Sequence, residues 1–323
     1  MENLILYDWL SFTVKTNDPL WVIDEMLGLG HCPWETIKGA RGYQDRLYFS
    51  SISVHYNGRE DMGVWVELSG QGCRTFETLT DFPDKWEDIF KTIADNRAHI
   101  TRLDVAYDDH TGVLDIDELI QDTRKKEYIS KSDYWEIIES SKGQSMQFGS
   151  PQSDVLIRIY DKARERNRPE GEHWIRCELQ LRNDRASAFT KLPTSIGESY
   201  YGVVYNYLRF VIPDEFDTNK WRWPMKVYWC DFLNDAQRIS IYQSPGMYYN
   251  FDKLKKLVFT QFGNATAAYI EIKGVEDFLQ HLENRPVRPN PKYERLIKEH
   301  GTFKECNTKT DAASGAAREE CNT

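Results

Sequence analysis

Residues 154–166 read DVLIRIYDKARER, and their types and spacing suit chemistry on a phosphate. In an extended chain successive side chains point to opposite faces. Val155, Ile157 and Ile159 then share one side, while Arg158, Tyr160 and Lys162 share the other. A solvated surface strand explains that alternation as readily as a site does. Two further stretches repeat the design. In TRLDVAYDD (101–109), Leu103, Val105 and Tyr107 oppose Arg102, Asp104 and Asp108. In WIRCELQLR (174–182), Ile175, Cys177, Leu179 and Leu181 oppose Arg176, Glu178, Gln180 and Arg182. If the three pair in one sheet, their apolar faces build a common core. Their polar faces then gather carboxylates, a phenol, a lysine and several arginines on one surface.

Such a collection supports phosphodiester transfer. Mg²⁺ or Mn²⁺ takes hard oxygen ligands, which Asp104, Asp108 and Glu178 can supply. The metal would act as a Lewis acid on the scissile phosphate. A phenol, with an ordinary pKa of about 10, needs a nearby cation to ionise, and Lys162 is placed to help. Arg158 and Arg176 suit a bidentate grip on phosphate oxygens. Attack by Tyr160 would leave a covalent phosphotyrosine and split one hard step into two. Plainer readings stand beside these: Tyr160 packs, Asp104 and Glu178 pair with Arg102 and Arg176, and Asp108–Asp109 close a turn. The seven histidines form no HxH or HxxxH pair, which disfavours nucleases with a His-hydrophobic-His metal motif.

These residues need a scaffold. Strand patterns run over 9–15, 43–58 (a pair or one long strand), 64–70, 99–109, 145–150, 154–162 and 173–183. Helical periodicity runs over 19–29, 83–96, 115–126, 195–213, 251–272 and 275–283. The fold class is therefore α+β, with a mostly antiparallel central sheet that carries the site and helices on its other face. VWVELSGQGCR (64–74) and IRCELQLRNDR (175–185) each set a Glu in an apolar strand with an Arg seven residues later. A duplicated α+β unit and coincidence both explain that echo. The change of character after residue 186 divides the chain into a sheet-rich catalytic region (1–190), a helix-rich region for DNA recognition or dimerisation (191–300) and a disordered tail (301–323).

Composition narrows the function classes. The 323 residues are 40% hydrophobic and 28% charged, with a formal net charge of −10. That balance argues against nonspecific coating of nucleic acid and leaves room for local basic patches. Arg158, Lys162, Arg164, Arg166 and Arg168 form one; KLKK (253–256) and RPVRPNPKYERLIK (285–298) form others. Arg164, Arg182, Lys253, Lys255, Lys256, Arg285 and Arg288 are the candidates for phosphate contacts, or they only keep an acidic protein soluble. Six cysteines make no CxxC or zinc spacing, no run reaches the roughly 18 apolar residues of a membrane span, and the N-terminus lacks a signal-peptide pattern. A cytosolic, reduced, zinc-free protein is expected.

Five blocks in order, DWLSFT (8–13), VELSGQGCR (66–74), ITRLDVAYDD (100–109), QFGSPQSDVLIRIYDKARE (147–165) and WIRCELQLR (174–182), resemble the trans-acting replication initiation factor family. These are initiators of rolling-circle plasmids, with related relaxases of integrative conjugative elements; the resemblance covers roughly residues 7 to 280. It implies nicking of one strand of supercoiled DNA at a hairpin-forming origin, with Tyr160 joined to the 5′ phosphate and a 3′-OH left to prime synthesis. It maps metal ligands to Asp104 and Glu178, with Asp108 less securely matched, and implies a host helicase and a homodimer as partners. Several relaxases carry an N-terminal helix-turn-helix, whereas DWLSFT begins here at residue 8; an initiator is therefore expected before a relaxase, and a non-catalytic origin-binding protein or repressor after both.

Overall fold

A computed structural model of the chain describes residues 4–141, 143–169, 171–234, 236–241, 254–255, 257–284 and 297. The alternation read in 101–109 recurs up to Arg182 and yields a ten-stranded antiparallel sheet. Its strands are β1 (Leu4–Val14), β2 (Glu35–Lys38), β3 (Asp45–Phe49), β4 (Ile52–Tyr56), β5 (Val64–Leu68) and β6 (His99–Asp109), then β8 (Trp135–Ser140), β9 (Gly143–Phe148), β10 (Val155–Asp161) and β11 (Ile175–Arg182). A separate pair joins β7 (Tyr128–Ser130) to β12 (Leu208–Phe210). The stretch 43–58 is a hairpin, β3–β4, turned by Ser50 and Ser51 at φ 42° and 70°, the left-handed pair that a two-residue turn requires.

The order in the large sheet is β2-β3-β4-β5-β1-β6-β11-β10-β9-β8. Read from either end it is the same, with β6, β8, β9, β10 and β11 standing for β1, β2, β3, β4 and β5. Helices follow the same plan. The short helix α1 (Pro19–Trp21), which runs on into a π-helical stretch Val22–Met26, lies between β1 and β2, and α4 (Ile116–Arg124) lies between β6 and β8. Likewise α2 (Gly70–Leu79) follows β5 and α6 (Asn183–Phe189) follows β11. The topology thus decides between the two explanations of the Glu67/Glu178 echo: the sheet is built from two copies of one unit, meeting at the β1–β6 seam.

One face of the sheet is apolar and fully covered. Leu10, Phe12, Val66, Leu103, Val105, Ile157, Ile159, Cys177 and Leu179 are buried there, each such large aliphatic or aromatic side chain contributing roughly 1.5–3 kcal/mol. Helices α2 and α7 (Ile196–Tyr207) pack on β1, α4 on β9 and β10, and α6 on β6 and β11. The polar face carries Asp104, Asp108, Arg176, Glu178, Arg158 and Tyr160, in the alternation read from the sequence.

Three sequence readings need correction. The chain forms two compact units, Met1–Tyr242 and Gln243–Thr323, so the boundary placed at 190 falls inside the first. The aromatic stretch after 190 is cover for the sheet: Tyr200, Val203, Phe210, Trp229 and Phe232 are buried, and the Tyr200 hydroxyl donates to the Cys177 carbonyl at 2.8 Å. The helix expected over 195–213 ends at Tyr207, because Leu208–Phe210 extends to pair with β7. Strand β10 ends at Asp161, so Lys162 opens the four-residue helix α5 (Lys162–Glu165) and does not continue the strand. In the second unit the helices Gly263–Lys273 and Val275–Glu283 meet at Gly274, whose φ of 88° suits glycine. Lys255 is described and exposed. Lys253, Lys256, Arg285, Arg288 and the tail 301–323 lie outside the described residues.

Candidate active site

The register assembles the site from three central strands. Arg158 pairs with Glu178 and Tyr160 with Arg176 across β10–β11. Across β11–β6, Arg176 pairs with Asp108, Glu178 with Ala106 and Gln180 with Asp104. Asp104 and Glu178 are thus diagonal neighbours on one face, a spacing of about 7 Å at Cβ.

Tyr160 is buried, and its hydroxyl donates to Glu178 Oε2 at 3.2 Å and accepts from Lys162 Nζ at 3.3 Å. The Arg158 guanidinium lies over its ring, 4.6 Å from the centroid, and also reaches Glu178 at 3.2 Å. Burial, then the Glu178 charge, raise the phenol well above its ordinary pKa of 10.0; Arg176 and Arg158 pull the other way. Lys162 reaches this hydroxyl from the first turn of α5, where Asp161 caps the helix by accepting from the Arg164 amide at 2.9 Å. Nζ also pairs with Glu165.

Each carboxylate taken from the sequence as a metal ligand is engaged by an arginine. Asp104 accepts from Arg102 Nε at 2.9 Å. Glu178 holds Arg158. Asp108 accepts from Arg176 Nε at 2.6 Å and Nη2 at 2.7 Å, and from Trp174 Nε1 at 2.8 Å, so both its oxygens are occupied. Among the described residues no three His, Cys, Asp or Glu side chains lie together as a ligand set. A site completed by substrate is different, since Mg²⁺ is commonly held by one or two carboxylates plus phosphate oxygens and water. Asp104 and Glu178 fit that pattern. Burial raises the Asp104 carboxyl to about 7, and the Glu178 and Asp8 charges push in the same direction against Arg102. A cation would relieve that crowding.

Asp8 was not singled out from the sequence, although the DWLSFT block contains it. Its carboxylate accepts from Arg176 Nη1 at 2.7 Å, at a register shift between Tyr7 and Trp9 in the β1–β6 ladder. Asp8, Asp108 and Arg176 line a cavity of about 440 Å³ with Lys162, Arg166 and Arg168. Arg74 and Trp174 also line it. Cations outnumber carboxylates around this cavity, which suits a phosphate chain. Arg164 is exposed beside Asp161. Arg182 sits on the same sheet face further along β11, outside this cluster. Asp109, by contrast, does close a turn: it accepts from the Thr111 amide at 2.9 Å and the Leu114 amide at 2.7 Å.

Comparison with known proteins shows the family of the chain. A family model described as replication initiation factor matches residues 98–282, and one described as rolling circle replication initiation protein N-terminal domain matches residues 4–92. The chain belongs to the replication initiation factor family. It is 33% identical over 262 residues to the putative DNA relaxase NicK of Bacillus subtilis (strain 168), covering 74% of this chain and 73% of that relative. It is also similar to the solved structure of a rolling circle replication initiator protein from Geobacillus stearothermophilus, at 32% identity and a TM-score of 0.67 over 75% of this chain and 100% of that one. The two family models divide this replication initiation factor between residues 92 and 98, which is where the two copies of the sheet unit meet.

Proposed function

We propose that this protein is a rolling-circle replication initiator that nicks one strand of origin DNA by attack of Tyr160 on a phosphodiester. The observation that carries the reading is the Tyr160 hydroxyl held between Glu178 and Lys162 on the central strands of the sheet. The phenolic oxygen forms a bond to phosphorus, the bond from phosphorus to the 3′ oxygen breaks, and that oxygen leaves as a 3′-OH after taking a proton. Glu178 accepts the phenol proton, and Lys162 donates to the resulting phenolate. Arg158, whose side chain is 41% exposed, grips a non-bridging oxygen. Arg176 is a positioning residue here, because Asp8 and Asp108 hold it. Asp104 and Glu178 would hold a divalent cation, which would supply Lewis acidity at the phosphate. Asp108, held by Arg176 and Trp174, is assigned to positioning Arg176 and is left out of that set.

The strand to be cut must be unpaired, which an extruded hairpin in supercoiled origin DNA supplies. The phosphodiester energy is kept in the phosphotyrosine, so a host helicase provides unwinding afterwards and no nucleotide site is needed. A relaxase of a conjugative element would use the same chemistry, and the likeness to NicK favours it as the second reading. Whether the encoding element replicates or only transfers separates the two.

The test is a nicking assay on the supercoiled plasmid that encodes the protein, with Mg²⁺ or Mn²⁺, beside Tyr160→Phe. The expected result is a protein–DNA adduct on the 5′ side of a single nick, absent from the variant and lost on chelation. Nicking that persists in Tyr160→Phe would sink the assignment. Specific binding without a nick would leave an origin-binding protein or repressor.

A further inference from the structure

The two copies of the sheet unit make equivalent positions comparable residue by residue. In the second copy Arg158 faces Glu178 and Tyr160 faces Arg176. In the first, Ser53 faces Glu67 and His55 faces Trp65. Glu67 therefore corresponds to Glu178, His55 to Tyr160 and Trp65 to Arg176. The carboxylate is kept, while the phenol and its arginine partner have become a stack of rings.

That first-copy position is a pocket, not a filled core. A cavity of about 310 Å³ opens there, lined by Trp9, Tyr43, Trp65 and Glu67 with Arg41, Arg102 and Arg182. Trp65 stacks on His55 at 4.6 Å between ring centroids and lies nearly parallel to Tyr43 at 6.4 Å. Arg41 sits over the Trp65 ring at 4.8 Å and Arg102 over the Trp9 ring at 4.4 Å. Trp9 Nε1 and Arg182 Nε are buried donors with no hydrogen-bond partner in the protein. Arg41 takes φ 54°, a left-handed conformation that side-chain-bearing residues rarely adopt.

Flat rings, guanidinium planes, donors without partners and one carboxylate make the set that recognises an unpaired base and its phosphates. The rings and guanidinium planes stack the base. Glu67 accepts from an exocyclic amine such as cytosine N4–H₂. Arg41 and Arg182 meet the phosphates on either side. The pocket lies on the sheet face that carries Tyr160. Between Trp65 on β5 and Tyr160 on β10 there are four strand spacings, about 19 Å across the sheet, and their rows meet β6 at His99 and Asp108, about 30 Å apart along the strand. Arg102 on β6 and Arg182 on β11 lie along the way.

We propose that the first copy of the unit is a single-stranded DNA subsite, in which Trp9, Tyr43, Trp65 and Glu67 hold one unpaired base of the strand that Tyr160 cuts. The proposal rests on the nicking reading for the identity of the strand, but its test does not depend on cleavage.

The probe is a 12-nucleotide oligodeoxycytidylate, with binding followed by fluorescence anisotropy on the full chain. Loss of one stacked base weakens binding by about tenfold. Trp65→Leu and, as an exposed position that the fold tolerates, Arg41→Ala should both show a loss of this order, while Arg124→Ala, an exposed position on helix α4 over the opposite face of the sheet, should bind as the parent does. A 5-iodocytosine version of the probe, irradiated with the unaltered protein, should crosslink to the peptides that carry Trp9, Tyr43 or Trp65. Crosslinks confined to residues 158–182, or undiminished affinity in both variants, would overturn the proposal. If either occurred while the Tyr160 adduct still formed on plasmid, the subsite would be wrong and the nicking reading intact. Crosslinks at Trp65 without any adduct would support the subsite and remove the nicking reading.

Discussion

His55 and Tyr160 occupy equivalent places in the two copies, and burial acts on them in opposite ways. Burial disfavours the charged form of each. It raises the phenol of Tyr160, and it lowers His55 from 6.5 to about 4, with Arg46 and Arg41 adding to the effect. The unfolded chain takes up a proton on His55 near its ordinary pKa, and the folded chain refuses it. Stability contributed by His55 is therefore complete above pH 6.5 and is lost as pH falls towards 4. A contribution of about 1–3 kcal/mol is expected. Urea unfolding of the parent and of His55→Phe, at about pH 7.5 and about pH 4.5, checks it. The parent should lose more stability between the two conditions than the variant. Equal losses would show that His55 carries none of the acid sensitivity.

At the scale of elements, one buried arginine ties three strands. Arg176 on β11 binds Asp108 on β6 through two nitrogens and Asp8 on β1 through a third. All three nitrogens belong to a side chain that is 6% exposed. Removing one partner of such a network strands the others without a counter-charge, which costs about 3–5 kcal/mol. Arg176→Met should lower the thermal midpoint sharply. Combining it with Asp108→Leu should recover part of the loss, because the orphaned charge goes too. A single variant as stable as the parent, by calorimetry, would mean that water reaches the cluster freely. The alternation of 174–182 already puts Arg176 on the polar face. Its partners were hidden, because they depend on strand order and on the register shift that brings Asp8 inward.

Across the whole molecule, an acidic chain presents its positive charge locally. The cavity beside Tyr160 gathers Arg166, Arg168 and Lys162, and the pocket of the first copy gathers Arg41, Arg102 and Arg182. We propose duplex recognition for the basic stretch at 253–256. Changing Lys253, Lys255 and Lys256 to Ala should weaken duplex binding and reduce the slope of log affinity against log salt by about 2–3, since each phosphate contact releases close to one counterion. An unchanged slope in a salt titration would remove these lysines from the interface. The single-strand affinity of the two sheet sites should survive that change.

Period-two alternation is a local property, and it made the polar faces of β6, β10 and β11 legible from the sequence alone. With them came Tyr160, Arg158, Asp104 and Glu178, and the five blocks that resemble the family. Apolar periodicity likewise marked 83–96 and 115–126, which the structure holds as α3 (Lys85–Asp95) and α4. Short or polar strands such as β2 and β8 escaped, because ETIK and WEIIES lack a buried face to print the period. Strand order, the pairing of the two copies and the inward turn of Asp8 arise from contacts between residues far apart in the chain. No window of sequence carries them. The tertiary structure alone decided that Asp108 belongs to Arg176, that Glu178 meets the phenol, and that helix α7, after residue 190, helps cover the same sheet.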